Sequence, residues 1–233
     1  IRKRLSAVKG GRFARHCVPA HVFAVILSDI VGDPVDMIAS GPVSPDSSTC
    51  ADALAAAEKY ALRLSDTARG LLAQETPKTA DNVTVRVTGS VRELCAAAAK
   101  ACRDLGYTPE ILTDCEQGVA REVGARLGAL ARENASCGTP RAFILGGETV
   151  VRLTGNGKGG RNQELALAAA AEIAGTENIV VFSVGSDGTD GPTDAAGGLA
   201  DGGTVERLAA AGKTVADVLQ NNDAYHALRD TGD

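Results

Sequence analysis

Residues 21–27, His-Val-Phe-Ala-Val-Ile-Leu, form an unbroken apolar run that leans strongly toward β structure. Such a run, with no polar alternation, is expected of a parallel strand buried on both faces. It ends in Ser28-Asp29, so polar groups stand at the strand's carboxyl end, where open α/β sheets collect ligands. A strand of this kind needs helices to cover it, and the rest of the chain supplies them. Residues 52–60 and 65–72 read as helices, the second with Ser65 as its N-cap. Strands follow at 83–88 and 109–113, and helices at 91–105, closed by Gly106, and at 119–134. Residues 141–147 and 149–154 read as two strands close in sequence, predicted antiparallel. A helix at 162–174, a strand at 178–184 and short helices at 205–211 and 223–229 complete the pattern. The alternation predicts an α/β fold with a mixed sheet in its second part. A polar stretch at 75–82, containing Pro77, marks a domain junction.

Aromatic residues make up only 3% of the chain, so its core must be aliphatic, with Ala-rich helices lying close to their neighbours. A net charge of −5 argues against a nucleic-acid surface, which needs basic patches. The six cysteines include no Cys-x-x-Cys pair, and a chain of 233 residues can bury a core without staples. Reduced thiols in a cytoplasmic protein are the expectation. No apolar run reaches membrane-spanning length, and no partner membrane is expected. The chain opens without Met and closes on Arg-Asp-Thr-Gly-Asp directly after an amphipathic segment, which predicts a piece of a longer protein.

Chemistry concentrates in three loops, each at the end of an expected strand. The first runs Ser28-Asp29-Ile30-Val31-Gly32-Asp33 and on to Ser40-Gly41-Pro42. Its carboxylates are of the kind that hold Mg²⁺ through one or two oxygens and waters, and a solvated loop with Asx turns would look the same. The second couples Gly146-Gly147-Glu148 to Gly155-Asn156-Gly157-Lys158-Gly159-Gly160-Arg161-Asn162-Gln163-Glu164. Its formal Gly-x-Gly-x-x-Gly follows a strand that reads as half of a hairpin, so a dinucleotide site is poorly supported, and Arg161-Asn162 stands where a P-loop requires Lys-Ser/Thr. What remains is general physics. Backbone N–H groups at a helix N-terminus attract anions, and Lys158 and Arg161 add charge, the arginine through a two-donor fork. The third loop is Gly185-Ser186-Asp187-Gly188-Thr189-Asp190-Gly191-Pro192-Thr193-Asp194. It lacks the bidentate Glu of an EF-hand, and Gly185-Ser186 separates Asp187 from the strand, unlike an aspartyl-phosphate nucleophile. His16, Cys17 and His21 fit no common zinc spacing. Asn221-Asn222-Asp223 reads as a helix cap, with Asn222 or Asp223 as a secondary ligand contact and Tyr225 and His226 as packing residues.

Taken together, LSDIVGDPVDMIASGPVSPD, GGETVVRLTGNGKGGRNQELALA, SVGSDGTDGPTDAAGGLADG and NNDAYHAL closely resemble the glycerate kinase family of the 2-kinase type, whose C-terminal part is the MOFRL region. RKRLSAVKGGRFA also resembles the family's helix preceding the first of these, and the motifs occur in family order along almost the whole chain. The resemblance implies the remainder of a Rossmann-like parallel-sheet domain over residues 1–76 and a second α/β domain with a mixed sheet over 77–233, the MOFRL-like region beginning at about 140. It implies ATP-dependent phosphorylation of D-glycerate, with Mg²⁺, in a cleft between the two domains, the 2-hydroxyl being the favoured acceptor. Arg161 matches a catalytically important arginine that would stabilise charge on the transferring phosphoryl group. Ser28, Asp29, Ser40 and Gly41 would line the site from the first domain, and Gly147, Glu148, Lys158, Gly160, Asn162, Glu164, Gly188, Thr193 and Asn222 from the second. Asp187 and Asp190 are the candidate bases by chemistry alone, and Asp29 and Asp187 the candidate metal ligands.

The sequence also departs from the family pattern. The family's Gly-Gly-Gly-Ser phosphate loop and catalytic Lys, which precede this region, do not occur in these residues, nor does its Gly-Thr-Asn-rich C-terminal segment. These 233 residues are therefore expected to lack a complete active site. Ser186 stands where the family usually has Thr, which keeps the hydroxyl. The competing readings are a hydroxypyruvate reductase using a nicotinamide cofactor and a non-catalytic ligand-binding fragment. A homodimer is left open.

Overall fold

The computed structural model describes every residue except Asp29. The chain divides into two compact units, Ile1–Leu94 and Cys95–Asp233, whereas the sequence pattern sets the division at 76/77.

The first unit holds α1 (Arg12–Cys17), β1 (Val22–Leu27), a 3₁₀ turn at Ile38–Ser40, α2 (Cys50–Lys59), α3 (Asp66–Leu72) and β2 (Val83–Gly89). β1 and β2 run parallel, Val22 opposite Val83 and Leu27 opposite Gly89. The expectation that β1 is buried on both faces is corrected. Val22, Ala24 and Ile26 are half-buried, while Phe23, Val25 and Leu27 stand 78%, 74% and 75% exposed. Successive side chains of a strand point to opposite sides, and only one side of this two-stranded sheet is covered among the described residues. Thr49 and Asp52 close a reciprocal capping box on α2, and the Ser65 hydroxyl accepts the Ala68 N–H as the sequence leads one to expect. Ala53, Ala57 and Leu72 form the small core between α2 and α3.

A buried ionic knot ties this unit's first residues to two distant loops. Asp46 accepts from Lys3 Nζ at 2.9 Å, Arg4 Nη1 at 3.2 Å and the Thr76 hydroxyl at 2.8 Å. Arg4 also reaches Ser48 and Glu75. Both Arg4 and Asp46 are 1% exposed. Burial alone would raise the Asp46 pKa, but Lys3, the Ser48 N–H and the Thr76 hydroxyl hold it well below the usual carboxylate range.

The unit boundary falls inside α4 (Val91–Asp104). Beyond it lie β3 (Thr108–Glu116), α5 (Ala120–Glu133), β4 (Arg141–Gly147), α6 (Arg161–Ile173), β5 (Val180–Val184), β6 (Gly197–Asp201), α7 (Thr204–Ala210), α8 (Val215–Asn221) and α9 (Ala224–Thr231). β3 and β4 pair in parallel, and β5 and β6 pair antiparallel as a separate sheet. The mixture of strand directions is thus divided between two sheets. The expected antiparallel strand at 149–154 is a second correction. Val150 makes one isolated parallel bridge to Val119, and the backbone of residues 152–155 is bonded to the side chain of Asn222 instead.

α6 is the centre of the unit, with residues 162–170 all buried. α5 presses against it so closely that a Cβ on Gly124 would lie 2.1 Å from the Leu165 carbonyl oxygen. Ala120, Val123, Leu165, Ala169 and Ile173 of these helices pack with Val181 of β5 in one core cluster. Leu167 packs on the other side against Leu208, Val218 and Leu228. This is the aliphatic, Ala-rich packing that the scarcity of aromatic residues predicts. All six cysteines are free. No helix is long and apolar enough to cross a membrane among the described residues.

Candidate active site

The glycine-rich loop before α6 is held by the turn between α8 and α9. The Asn222 Oδ1 accepts the N–H groups of Thr154 and Gly155 at 2.7 and 2.9 Å. The Asn221 carbonyl accepts the Gly157 N–H at 2.8 Å, and Asp223 accepts the Lys158 N–H at 2.9 Å. This contact dictates the glycines. A Cβ on Gly155 would lie 2.4 Å from the Asn221 Cα, and one on Gly157 would lie 2.5 Å from the Asp223 Cβ. The Gly-x-Gly spacing therefore serves a close approach of two backbones of the same chain, and it does not open a strand-turn-helix phosphate loop.

The N-terminus of α6 already carries an anion. Asp190, 2% exposed, accepts the N–H groups of Asn162 and Gln163 at 3.1 and 2.9 Å, along with the Asn162 side-chain amide at 3.0 Å. A Cβ on Gly160 would lie 2.2 Å from the Asp190 carboxyl carbon. Helix amides that the sequence pattern offers to a ligand thus go to the chain's own carboxylate, where the positive end of the helix dipole favours it. Thr193 closes the turn by donating to the Asp190 carbonyl at 2.7 Å and accepting from Gln163 at 3.2 Å. Asn162 in turn accepts the Ser183 hydroxyl at 2.6 Å. Glu164, buried one turn further on, is forked by Arg121 at 2.9 and 3.2 Å.

The sequence candidates therefore fall into two groups. Asn162, Glu164, Asp190, Thr193 and Asn222 are buried and bonded to one another or to the loop. Arg161, Glu148 and Asp187 are exposed. Arg161, the first residue of α6, donates to Glu148 at 3.1 Å just beyond the end of β4. Asp187 accepts the Thr189 N–H at 3.1 Å; that bond, with a smaller contribution from the charge of Arg161, holds its pKa below the usual value. Gly188 follows in the same turn with a left-handed backbone. Lys158 Nζ stands 4.7 Å over the ring of Tyr225, whose hydroxyl donates to Asp194 at 2.6 Å. Gly147 ends β4 opposite Glu116. Arg121, Ser183 and Tyr225 are site-building residues that the sequence does not announce. A lone arginine on a helix or a serine in a strand carries no motif, and Tyr225 reads as a packing residue.

In the first unit, Ser28 lies just past β1, its hydroxyl donating to the Ile30 carbonyl at 3.2 Å. Ser40 and Gly41 are buried, and Ala39, Ser40 and Gly41 all have left-handed backbones. The Ser40 and Gly41 carbonyls accept the N–H groups of Gly10 and Gly11, which anchors the turn to the start of α1. Asp29 lies outside the described residues. Among the described residues, no group of three or more His, Cys, Asp and Glu side chains comes together as a metal cage.

Comparison with known proteins finds two family matches along the chain. The MOFRL family matches residues 141–233, and the family described as "Domain of unknown function (DUF4147)" matches residues 1–73. The D-glycerate 2-kinase of Thermotoga maritima is 48% identical over all of this chain, which spans 57% of that relative's length. The glycerate kinase of Macaca fascicularis is 34% identical over 97% of the chain, which covers 70% of that relative. A crystal structure of glycerate kinase from Thermotoga maritima superposes with a TM-score of 0.93 at 47% identity, over 100% of this chain and 57% of the other.

Proposed function

This chain belongs to the glycerate kinase family, and from that premise we propose that it acts in ATP-dependent phosphorylation of D-glycerate, with 2-phosphoglycerate as product. The observation that supports this best is the exposed Arg161, fixed at the first turn of a buried helix directly after the Lys158 loop and bonded to Glu148 at 3.1 Å. Phosphoryl transfer leaves a protein little covalent work and much positioning and charge stabilisation. The glycerate hydroxyl oxygen bonds to the γ-phosphorus, the bond to the β,γ-bridging oxygen breaks, ADP leaves, and the hydroxyl proton passes to a base.

Arg161 takes the developing charge on the γ-phosphoryl oxygens, and Lys158 acts as a second point charge on the phosphates. Asp187 is the proton acceptor in this reading. It is exposed, and the Thr189 N–H holds its pKa below the usual carboxylate value. Asp190 has its carboxylate committed to α6, so its part is to fix the backbone that presents Arg161. Glu148, Gly147, Gly160 and Gly188 shape the surface around them. Ser28, Asp29, Ser40 and Gly41 are proposed substrate contacts of the first unit by family likeness, and the parallel β1–β2 pair is proposed as part of a Rossmann-like sheet. Mg²⁺ bound to nucleotide phosphates needs only one or two protein carboxylates. Asp29, with Asp187 as alternate, suits that mode, and the ion would neutralise phosphate charge. A cytoplasmic location, in keeping with six free thiols, belongs to the same proposal.

The nicotinamide reading has less support, because the loop that suggested it is built around Asn221–Asp223. The deciding experiment incubates the full-length protein that contains this chain with ATP and D-glycerate, and separately with NADH and hydroxypyruvate. ADP and a phosphoglycerate, assigned by phosphorus NMR, are expected. NADH oxidation without ADP formation would sink the proposal.

A further inference from the structure

Asn222 is the node that joins the glycine-rich loop to α6. Its Oδ1 accepts from Thr154 N and Gly155 N, and its Nδ2 donates to the Arg152 carbonyl and to Glu164 Oε2, both at 3.1 Å. It is 7% exposed, so these bonds face little competition from water. It also ends α8 with a left-handed backbone at φ 55°, a conformation that Asn tolerates better than most residues. Glu164, the other end of the link, lies one turn after Arg161 on the same face of α6 and is locked by Arg121. Asn222 thus ties the start of the loop leading to Lys158 to the helix that begins with Arg161, while Asn221 and Asp223 hold Gly157 and Lys158 further along.

We propose that Asn222 is a positioning residue, which touches no substrate and sets the separation of the Lys158 and Arg161 cations so that both engage one phosphate chain. The residue type follows from the task. The site needs an acceptor toward two loop amides and a donor toward a carbonyl and a carboxylate, and a primary amide supplies both from one planar group. An aspartate would set a second carboxylate against Glu164. A glycine would keep the left-handed backbone and lose the link. The inference rests on the kinase reading, because it assigns the two cations to the triphosphate.

The test measures two quantities on the purified full-length protein that contains this chain and on its Asn222→Gly variant: hydrogen exchange at the Thr154 and Gly155 amides, and affinity for ATP by calorimetry. Loss of protection at those amides, retention of protection in α6, and ATP binding weakened by about tenfold or more are expected. Asn222→Asp keeps the acceptor toward the two loop amides but meets Glu164 with a like charge, so it should protect those amides better than the glycine variant while still weakening ATP binding, and it serves as the test should the glycine variant fail to fold. Unchanged protection in the loop, or lost protection with unchanged ATP affinity, overturns the proposal. A wild-type protein that binds no ATP sinks the kinase reading and the role given to Asn222, whereas the exchange data still read the link itself.

Discussion

Asp190 and Asn162 meet twice, the carboxylate oxygen Oδ1 accepting both the backbone N–H of Asn162 at 3.1 Å and its side-chain amide at 3.0 Å. With Gln163 N on the other oxygen, the carboxylate is a helix cap inside the protein. Asp190→Asn turns one acceptor into a donor facing a buried N–H, and should cost about 1–3 kcal/mol of stability in denaturant titration. Asp187→Asn, at an exposed position, should leave stability within about 0.5 kcal/mol and lower kcat by about 10²-fold or more. If Asp190→Asn keeps full stability while losing turnover, the two assignments must be exchanged.

Arg161 carries the phosphoryl charge in the proposed reaction while standing at an exposed helix start. Its replacement therefore separates chemistry from folding. Arg161→Gln should reduce kcat by about 10²–10³ and leave the unfolding midpoint in place. Arg161→Lys keeps a charge without the two-donor fork and should recover only part of the loss.

Much of this arrangement is legible in the sequence. α5 and α6 fall close to where the pattern puts them, α5 because its apolar spacing and burial agree, and α6 because a run of strong helix formers stands between Gly160 and Gly175. β6 does not, since Gly197-Gly198-Leu199-Ala200-Asp201 is paired by backbone contact with β5 and lacks the β-branched side chains that announce a strand. Composition also misleads at residues 149–154, where Val150, Val151 and Leu153 look strand-forming but Asn222 takes the backbone of Arg152, Thr154 and Gly155. The three candidate loops stand out by their glycine and carboxylate content. Which of their side chains face solvent is not, because a carboxylate that caps a helix and one that awaits a proton are written alike.

The contact between α5 and α6 should tolerate no added methyl group. Gly124→Ala places a Cβ 2.1 Å from the Leu165 carbonyl oxygen, a backbone atom that cannot rotate away. Overpacking of this kind costs about 1–3 kcal/mol. Gly138→Ala, where nothing lies within 4 Å, is the control and should be neutral. Thermal unfolding of the two variants compares them directly, and equal midpoints would contradict the packing described for α5.

The first unit should be acid-sensitive through Asp46. Its pKa in the folded chain is depressed from an ordinary 3.8. The stabilisation is therefore fully present above about pH 4, and is lost progressively as the pH falls below that value toward the folded pKa. Removing the charge at pH 7 by Asp46→Asn takes from Arg4, 1% exposed and with its Nε already unpartnered, its buried counter-charge and leaves it only the more exposed Glu75. A loss of about 3–5 kcal/mol follows from breaking such a pair on one side only. Hydrogen exchange across residues 44–48 and 75–78 reports this unit by itself. Protection there should fall on acidification in the wild type, and should start low and depend little on pH in the variant. A wild type whose protection is flat from pH 6 to below pH 3 would show that Lys3 and Arg4 do not hold Asp46 as the geometry requires.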